Sequence, residues 1–171
     1  AADDVSLSIS GSELVIIDNN GTGIGLVGVL DGGTGDGTAA VKVPLASFSG
    51  LLDINTLGGD DVVNLAALAL TGNQGIDIDA GADNDTINVN GILDLTSGSG
   101  GGSFTAENLN VSANVSTDGG NLSFTGQTTV TVTSIIDTEA GDNSNAGNVS
   151  FDNRLQNSTG VNAIDITIDT S

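Results

Sequence analysis

The chain has 171 residues, 37% apolar and 2% aromatic, with 26 glycines, four phenylalanines and no cysteine, histidine, tryptophan or tyrosine. Twenty-two acids face two bases, Lys42 and Arg154, for a formal net charge of −20. That balance excludes disulfides and thiolate metal sites, and it lacks the basic footprint that nucleic acid or an anionic membrane surface requires.

The length suits one domain over residues 1–171. Weak hydrophobicity with high charge is a mark of disorder, but Val, Ile and Leu alternate with polar residues in segment after segment, which is strand patterning. No apolar run nears the roughly 18 residues of a membrane span, so no membrane insertion is expected. Ala1-Ala2-Asp3-Asp4 suits a mature N-terminus after removal of a secretory signal.

In chain order, Val5 to Ile9 has a period of two, Gly11-Ser12 makes a turn, and Glu13 to Ile17 is a second strand. Asp18-Asn19-Asn20-Gly21 is a tight corner. Gly23 to Leu30 is apolar and laced with glycine, as in a strand closely approached by another backbone. Asp31 to Gly37 is a flexible loop or a cation-binding turn. Val41 to Leu45 holds the only proline, Pro44, which places it at a sheet edge or strand end.

Leu52 to Leu65 and Ile76 to Val89 then align without a gap at an offset of 24 residues, with Asp53/Asp77, Ile54/Ile78, Asp61/Asp85 and Asn64/Asn88 identical. Each copy is a short alternating strand, a Gly/Asp corner and a second strand. A period of about 20–30 residues without a helix marks the rung of a stacked β-solenoid. Between the copies, Asn64 to Leu70 has helical propensity and is expected to form a short helix over a corner. The rung type changes near residues 98–102, read as a long corner inside one solenoid. Beyond it, Gly120-Asn121-Leu122-Ser123-Phe124 and Gly147-Asn148-Val149-Ser150-Phe151 agree at an offset of 27. Stacked rungs would set Phe104, Phe124 and Phe151 in an internal ladder. Ala163 to Asp169 is the last strand.

The Gly-Asn-Val-Ser-Phe phrases from about Gly98 onward resemble the filamentous-haemagglutinin-like adhesins, in which such phrases open successive rungs of a right-handed parallel β-helix. The first half resembles repeat-rich giant bacterial surface proteins, whose corners are similar to the calcium-binding RTX nonapeptide Gly-Gly-x-Gly-x-Asp-x-apolar-x. Asp85 falls on the nonapeptide aspartate, Ile87 on its apolar position and Gly81 on its second glycine, with Ala80 and Asp83 replacing the other two. In the earlier copy Asp61, Val63 and Gly59 fit, whereas Thr56 and Leu57 do not. Two broken copies cannot build the usual RTX array, so the resemblance leaves room only for isolated calcium sites.

The candidate ligands are Asp60, Asp61, Asp83 and Asp85, hard oxygen donors that stacking would bring within one strand spacing of about 4.8 Å. The competing view is that they are solvated corner residues, chosen because Asp and Asn tolerate tight turns. Asp53, Asp77, Asp79 and Asp165 should point outward where their isoleucine neighbours point inward. Catalysis lacks support: neither His nor Cys is present, and to grip a sugar beside Asp60-Asp61 the chain offers Lys42 and Arg154 alone, with neither Trp nor Tyr to stack on a ring.

The expected fold is all-β, a right-handed parallel β-helix, with an antiparallel β-sandwich as the competing arrangement. The expected role is that of a non-enzymatic extracellular structural protein, a subunit or segment of a bacterial surface filament or adhesin. Its partner would be a second copy, stacked head to tail through the end strands at Val5, Leu7, Ile9, Ile164, Ile166 and Ile168. The alternative is a monomeric adhesin domain that binds a surface carbohydrate or matrix component.

Overall fold

The computed structural model describes residues 2–21, 34–35, 37–97, 100–140, 146–158 and 165–170. The expected strand from Gly23 to Leu30 lies outside them, as do Asp31, Asp36 and Ile164. The chain opens with an antiparallel meander of β1 (Asp4–Ser10), β2 (Glu13–Asp18) and β3 (Ala40–Pro44). Gly11, at φ +64°, turns β1 back so that Ser10 faces Glu13 and Val5 faces Asp18. Antiparallel strand pairs are confined to this meander among the described residues. A single 3-10 turn over Leu45–Ser47 then leads into a β-solenoid of about four turns.

The first rung is β4 (Leu51–Asn55), β5 (Val62–Leu65) and β6 (Leu68–Ala69), and the second is β7 (Gly75–Asp79), β8 (Thr86–Val89) and β9 (Leu93–Leu95). In the third, β10 (Gly102–Val111) runs over both β7 and β8, with a register shift between Thr105 and Asn108, and β11 (Val115–Thr117) follows. The fourth is β12 (Leu122–Val130) and β13 (Ser134–Asp137), and the last is β14 (Val149–Phe151), β15 (Leu155–Asn157) and β16 (Ile166–Asp169). Rungs pair in parallel throughout, and β1 docks in parallel on β5, joining meander to solenoid.

The internal repeat is the strand register itself. At the offset of 24, Asp53 faces Asp77, Ile54 faces Ile78 and Asn64 faces Asn88. At 27, Leu122 faces Val149 and Phe124 faces Phe151. Where the rung type changes, β10, which begins at Gly102, pairs with strands of the rung before and the rung after.

Alternation sends every second side chain inward, so the core is a set of vertical columns. One runs Ile54, Ile78, Phe104, Phe124, Phe151, and its rings stack at centroid distances of 5.4 and 5.1 Å. Another runs Val5, Val63, Ile87, Leu109, Thr128, Leu155, and a third Leu68, Leu93, Val115, Ile136, Ile168. On the outer face Asn110 donates to Asn88 (2.9 Å) and Asn88 to Asn64 (3.0 Å), an amide ladder whose last free donor is met by Asp4 Oδ1 at 3.2 Å.

The segment Asn64 to Leu70 is not helical. Leu65, Leu68 and Leu70 are all buried, which takes a strand, a corner and a second strand, and β6 bonds to β9. Burial and pairing with the next rung outweigh a helix propensity of a few tenths of a kcal/mol per residue. The Gly-Asn phrases have a steric cause. A Cβ on Gly120 would sit 2.0 Å from the Gly100 carbonyl oxygen, and one on Gly147 would sit 2.1 Å from that of Gly120. At this corner each rung presses on the backbone below it.

Candidate functional site

The corner joining β4 to β5 lies under the corner joining β7 to β8. Thr56 Oγ1 donates to the Ala80 carbonyl at 2.8 Å, and Gly58 bridges Ala82. Both corners carry left-handed residues at matching places, Leu57 (φ 72°) under Gly81 (95°) and Gly59 (126°) under Asp83 (96°). Asp83 is thus an exposed turn residue, the role that Asp tolerates well. Asp60 is also exposed, and its Oδ1 accepts the Asn84 N–H at 3.1 Å.

Asp61 and Asp85 are different: they are 1% and 0% exposed. Each stands two residues before an inward apolar residue, Val63 or Ile87, and so occupies the first inward position of its strand column. They belong to a ladder that sequence reasoning did not assemble. The Asp3 N–H donates to Asp61 Oδ1 (2.6 Å), the Asp61 N–H to Asp85 Oδ1 (2.8 Å) and the Asp85 N–H to Glu107 Oε2 (3.0 Å). Every carboxylate reaches down to the backbone of the preceding strand. Asp61 Oδ2 and Asp85 Oδ2 are buried with no hydrogen-bond partner. Burial raises the Asp85 carboxyl above its ordinary 3.8, the hydrogen bond from Asp61 pulls it partly back, and the charges of Glu107 and Asp61 push it up again.

The four expected calcium ligands therefore split into two exposed and two buried side chains, and the view that all are solvated corner residues fails for Asp61 and Asp85. Among the described residues no group of three or more acidic side chains converges to hold a metal ion. A calcium ion takes six to eight oxygens, and the buried carboxylate oxygens left without a partner here are two, Asp61 Oδ2 and Asp85 Oδ2. The residues missed in the sequence, Asp3 and Glu107, lie outside the 24-residue repeat. Their signal was register, since Asp3 precedes the strand that docks on β5 and Glu107 sits opposite Asp85.

The ends of the solenoid are unequal. Val5 and Leu7 are buried, Ile9 packs against the core, and β1 is paired on both sides, by β2 and β5. The N-terminal assembly strand expected at Val5 to Ile9 is thus an interior strand, because the meander adds two strands beyond it. The outermost of these is β3, which bears the chain's only lysine, the exposed Lys42, and its only proline, Pro44. Thr34 and Lys42 exchange backbone hydrogen bonds of 2.9 Å there. In the first rung, β4 pairs with β7 alone among the described residues. At the other end β14, β15 and β16 likewise have one neighbour each among the described residues. Ile166 packs on the core and Ile168 is 44% exposed. A depression over this rung is lined by Val130, Leu155, Gln156, Asn157 and Ile166.

Compared with protein-family models, with curated proteins and with solved structures, the chain matches none. No helix among the described residues is long and apolar enough to cross a membrane.

Proposed function

We propose that this chain is a non-enzymatic structural segment of an extracellular bacterial surface assembly, such as a filament or adhesin stalk, extended by strand pairing at its ends. The observation that carries this reading is the contrast between edges. The edge strand β3 bears Lys42 and Pro44, the two residue types that blunt a sheet edge against further pairing. The outer edges of β4 and β14, which belong to one strand column at opposite ends of the solenoid, bear neither. Head-to-tail association would lay β14 of one copy on β4 of the next, continuing that column in parallel while the meander limits contact on the β5 side.

Sedimentation velocity and electron microscopy over rising concentration, with calcium and with chelator, test this. Association is expected, and Leu51→Lys, at a position 59% exposed on β4, should weaken it by placing on that edge the charge that β3 already carries. A wild type that stays monomeric at the highest concentration in both conditions overturns the reading.

A further inference from the structure

The three walls of the solenoid are charged unequally. Asp53, Asp77 and Asp79 lie on β4 and β7, and Asp94, Asp137 and Asp169 on β9, β13 and β16. The remaining wall is β5, β8, the Asn108–Val111 end of β10, the Thr128–Val130 end of β12, and β15. Neither these strands nor the corners at 66–67, 90–92, 112–114 and 131–133 contain a charged residue. At the foot of the wall, on the meander, Asp4 and Glu13 are offset by Lys42, and Arg154 stands just before β15 at its head. Its outward side chains are the amide ladder Asn64, Asn88, Asn110, continued by Thr129 and by Gln156, which donates to Thr129 at 3.1 Å. Along its border with the Asp94 wall, Ile92, Val132 and Ile135 are 56%, 45% and 43% exposed.

We propose that this uncharged wall, with its apolar border, is a lateral docking face for a second copy of the chain, the two packed sheet against sheet. Two chains of net charge −20 repel each other over most of their surfaces. Setting the uncharged walls face to face keeps the acidic walls of both copies turned away from the contact. A basic partner would instead be drawn to the acidic walls. The amides of the ladder already bond to one another, which lowers the cost of covering them, and sheets faced with Asn and Gln ladders pack dryly on each other. Five strands at about 4.8 Å, and a strand plus corner of about seven residues at about 3.3 Å each, give a face of roughly 550 Å² per copy. A pair of such faces buries roughly 1,100 Å², above the ~1,000 Å² that a specific interface needs. The face is separate from the strand pairing at the solenoid ends, because it presents side chains rather than open backbone edges.

The full chain is tested by sedimentation velocity and small-angle X-ray scattering. A dimer no longer than the monomer is expected, and raising salt from about 20 mM to about 500 mM should strengthen it, since salt screens the repulsion and leaves the uncharged contact intact. Leu51→Lys, which blunts the β4 edge, should leave this dimer in place. Ile92→Asp and Gln127→Glu, both at exposed positions, should weaken it by roughly tenfold or more, because each brings like charges into the contact from both copies. The chain has no cysteine, so Gln127→Cys supplies a single thiol that a bis-maleimide should link between copies, whereas Asp77→Cys on an acidic wall should not link. A dimer that Ile92→Asp and Gln127→Glu leave intact, or that dissociates as salt rises, overturns the lateral face. So does an association that doubles the length and is lost in Leu51→Lys, a result that would uphold the end pairing alone. A chain that stays monomeric in high salt overturns it as well, and retention of that monomer on chitin beads, abolished by Ile92→Asp, would assign the wall to a neutral polysaccharide.

Discussion

Replacing Phe124 with alanine tests whether the rungs are held together by their interior columns. Phe124 is 1% exposed and stacks on Phe104 below and Phe151 above. Truncating a fully buried phenylalanine costs about 3–5 kcal/mol, a large part of the roughly 5–15 kcal/mol that stabilises a domain. Phe151 lies on the last rung, is only partly buried and has one ring neighbour, so Phe151→Ala should cost roughly 1–2 kcal/mol. Phe124→Leu keeps most of the volume and should cost under about 1.5 kcal/mol. With neither Trp nor Tyr as a fluorophore, urea unfolding is followed by far-ultraviolet circular dichroism. A solenoid couples each rung mainly to its neighbours, so Phe124→Ala should also lower the apparent m-value by letting the two halves melt separately. Equal losses at Phe124 and Phe151 would show that position in the stack is irrelevant and refute the column argument.

Two further variants probe single atoms. Thr128 is fully buried in the column of Val63, Ile87 and Leu109, and its Oγ1 has no hydrogen-bond partner, so Thr128→Val should stabilise the protein by about 1–2 kcal/mol in the same urea assay. Asn88 donates to Asn64 and accepts from Asn110, and Asn88→Ala should cost about 1–2 kcal/mol, with Asn88→Asp less stable at neutral than at acid pH because it keeps the acceptor and loses the donor.

The rungs were legible because a parallel stack writes its register directly into the sequence. Residues that face each other across β4 and β7 must share a face, so Ile54 and Ile78, or Phe124 and Phe151, recur at the rung length. The meander was legible strand by strand but not in its placement. Nothing in Val5 to Ile9 says that β1 will lie between β2 and β5, because its alternation serves either an open or a covered edge. Asn64 to Leu70 misled because alanine and leucine favour a helix locally, whereas the pairing that makes β6 a strand comes from β9, some 25 residues away.

The acidic corner divides along the same line. Similarity to a calcium motif treats Asp60, Asp61, Asp83 and Asp85 as one set of oxygens, but strand parity and the corner backbone separate them. Counting back by two from Leu65 through Val63 reaches Asp61, and from Val89 through Ile87 reaches Asp85, so the alternation that places the isoleucines places these acids inside. Asp60 falls on the other phase, and Asp83, on the same phase as Asp85, lies in the left-handed corner at φ 96° before the alternation begins; both stay in solvent. In a chain of net charge −20, four acids are buried among the described residues, Asp18, Asp61, Asp85 and Glu139, and two of them, Asp61 and Asp85, stand one above the other. There their Oδ1 atoms accept from backbone N–H groups of the preceding strand.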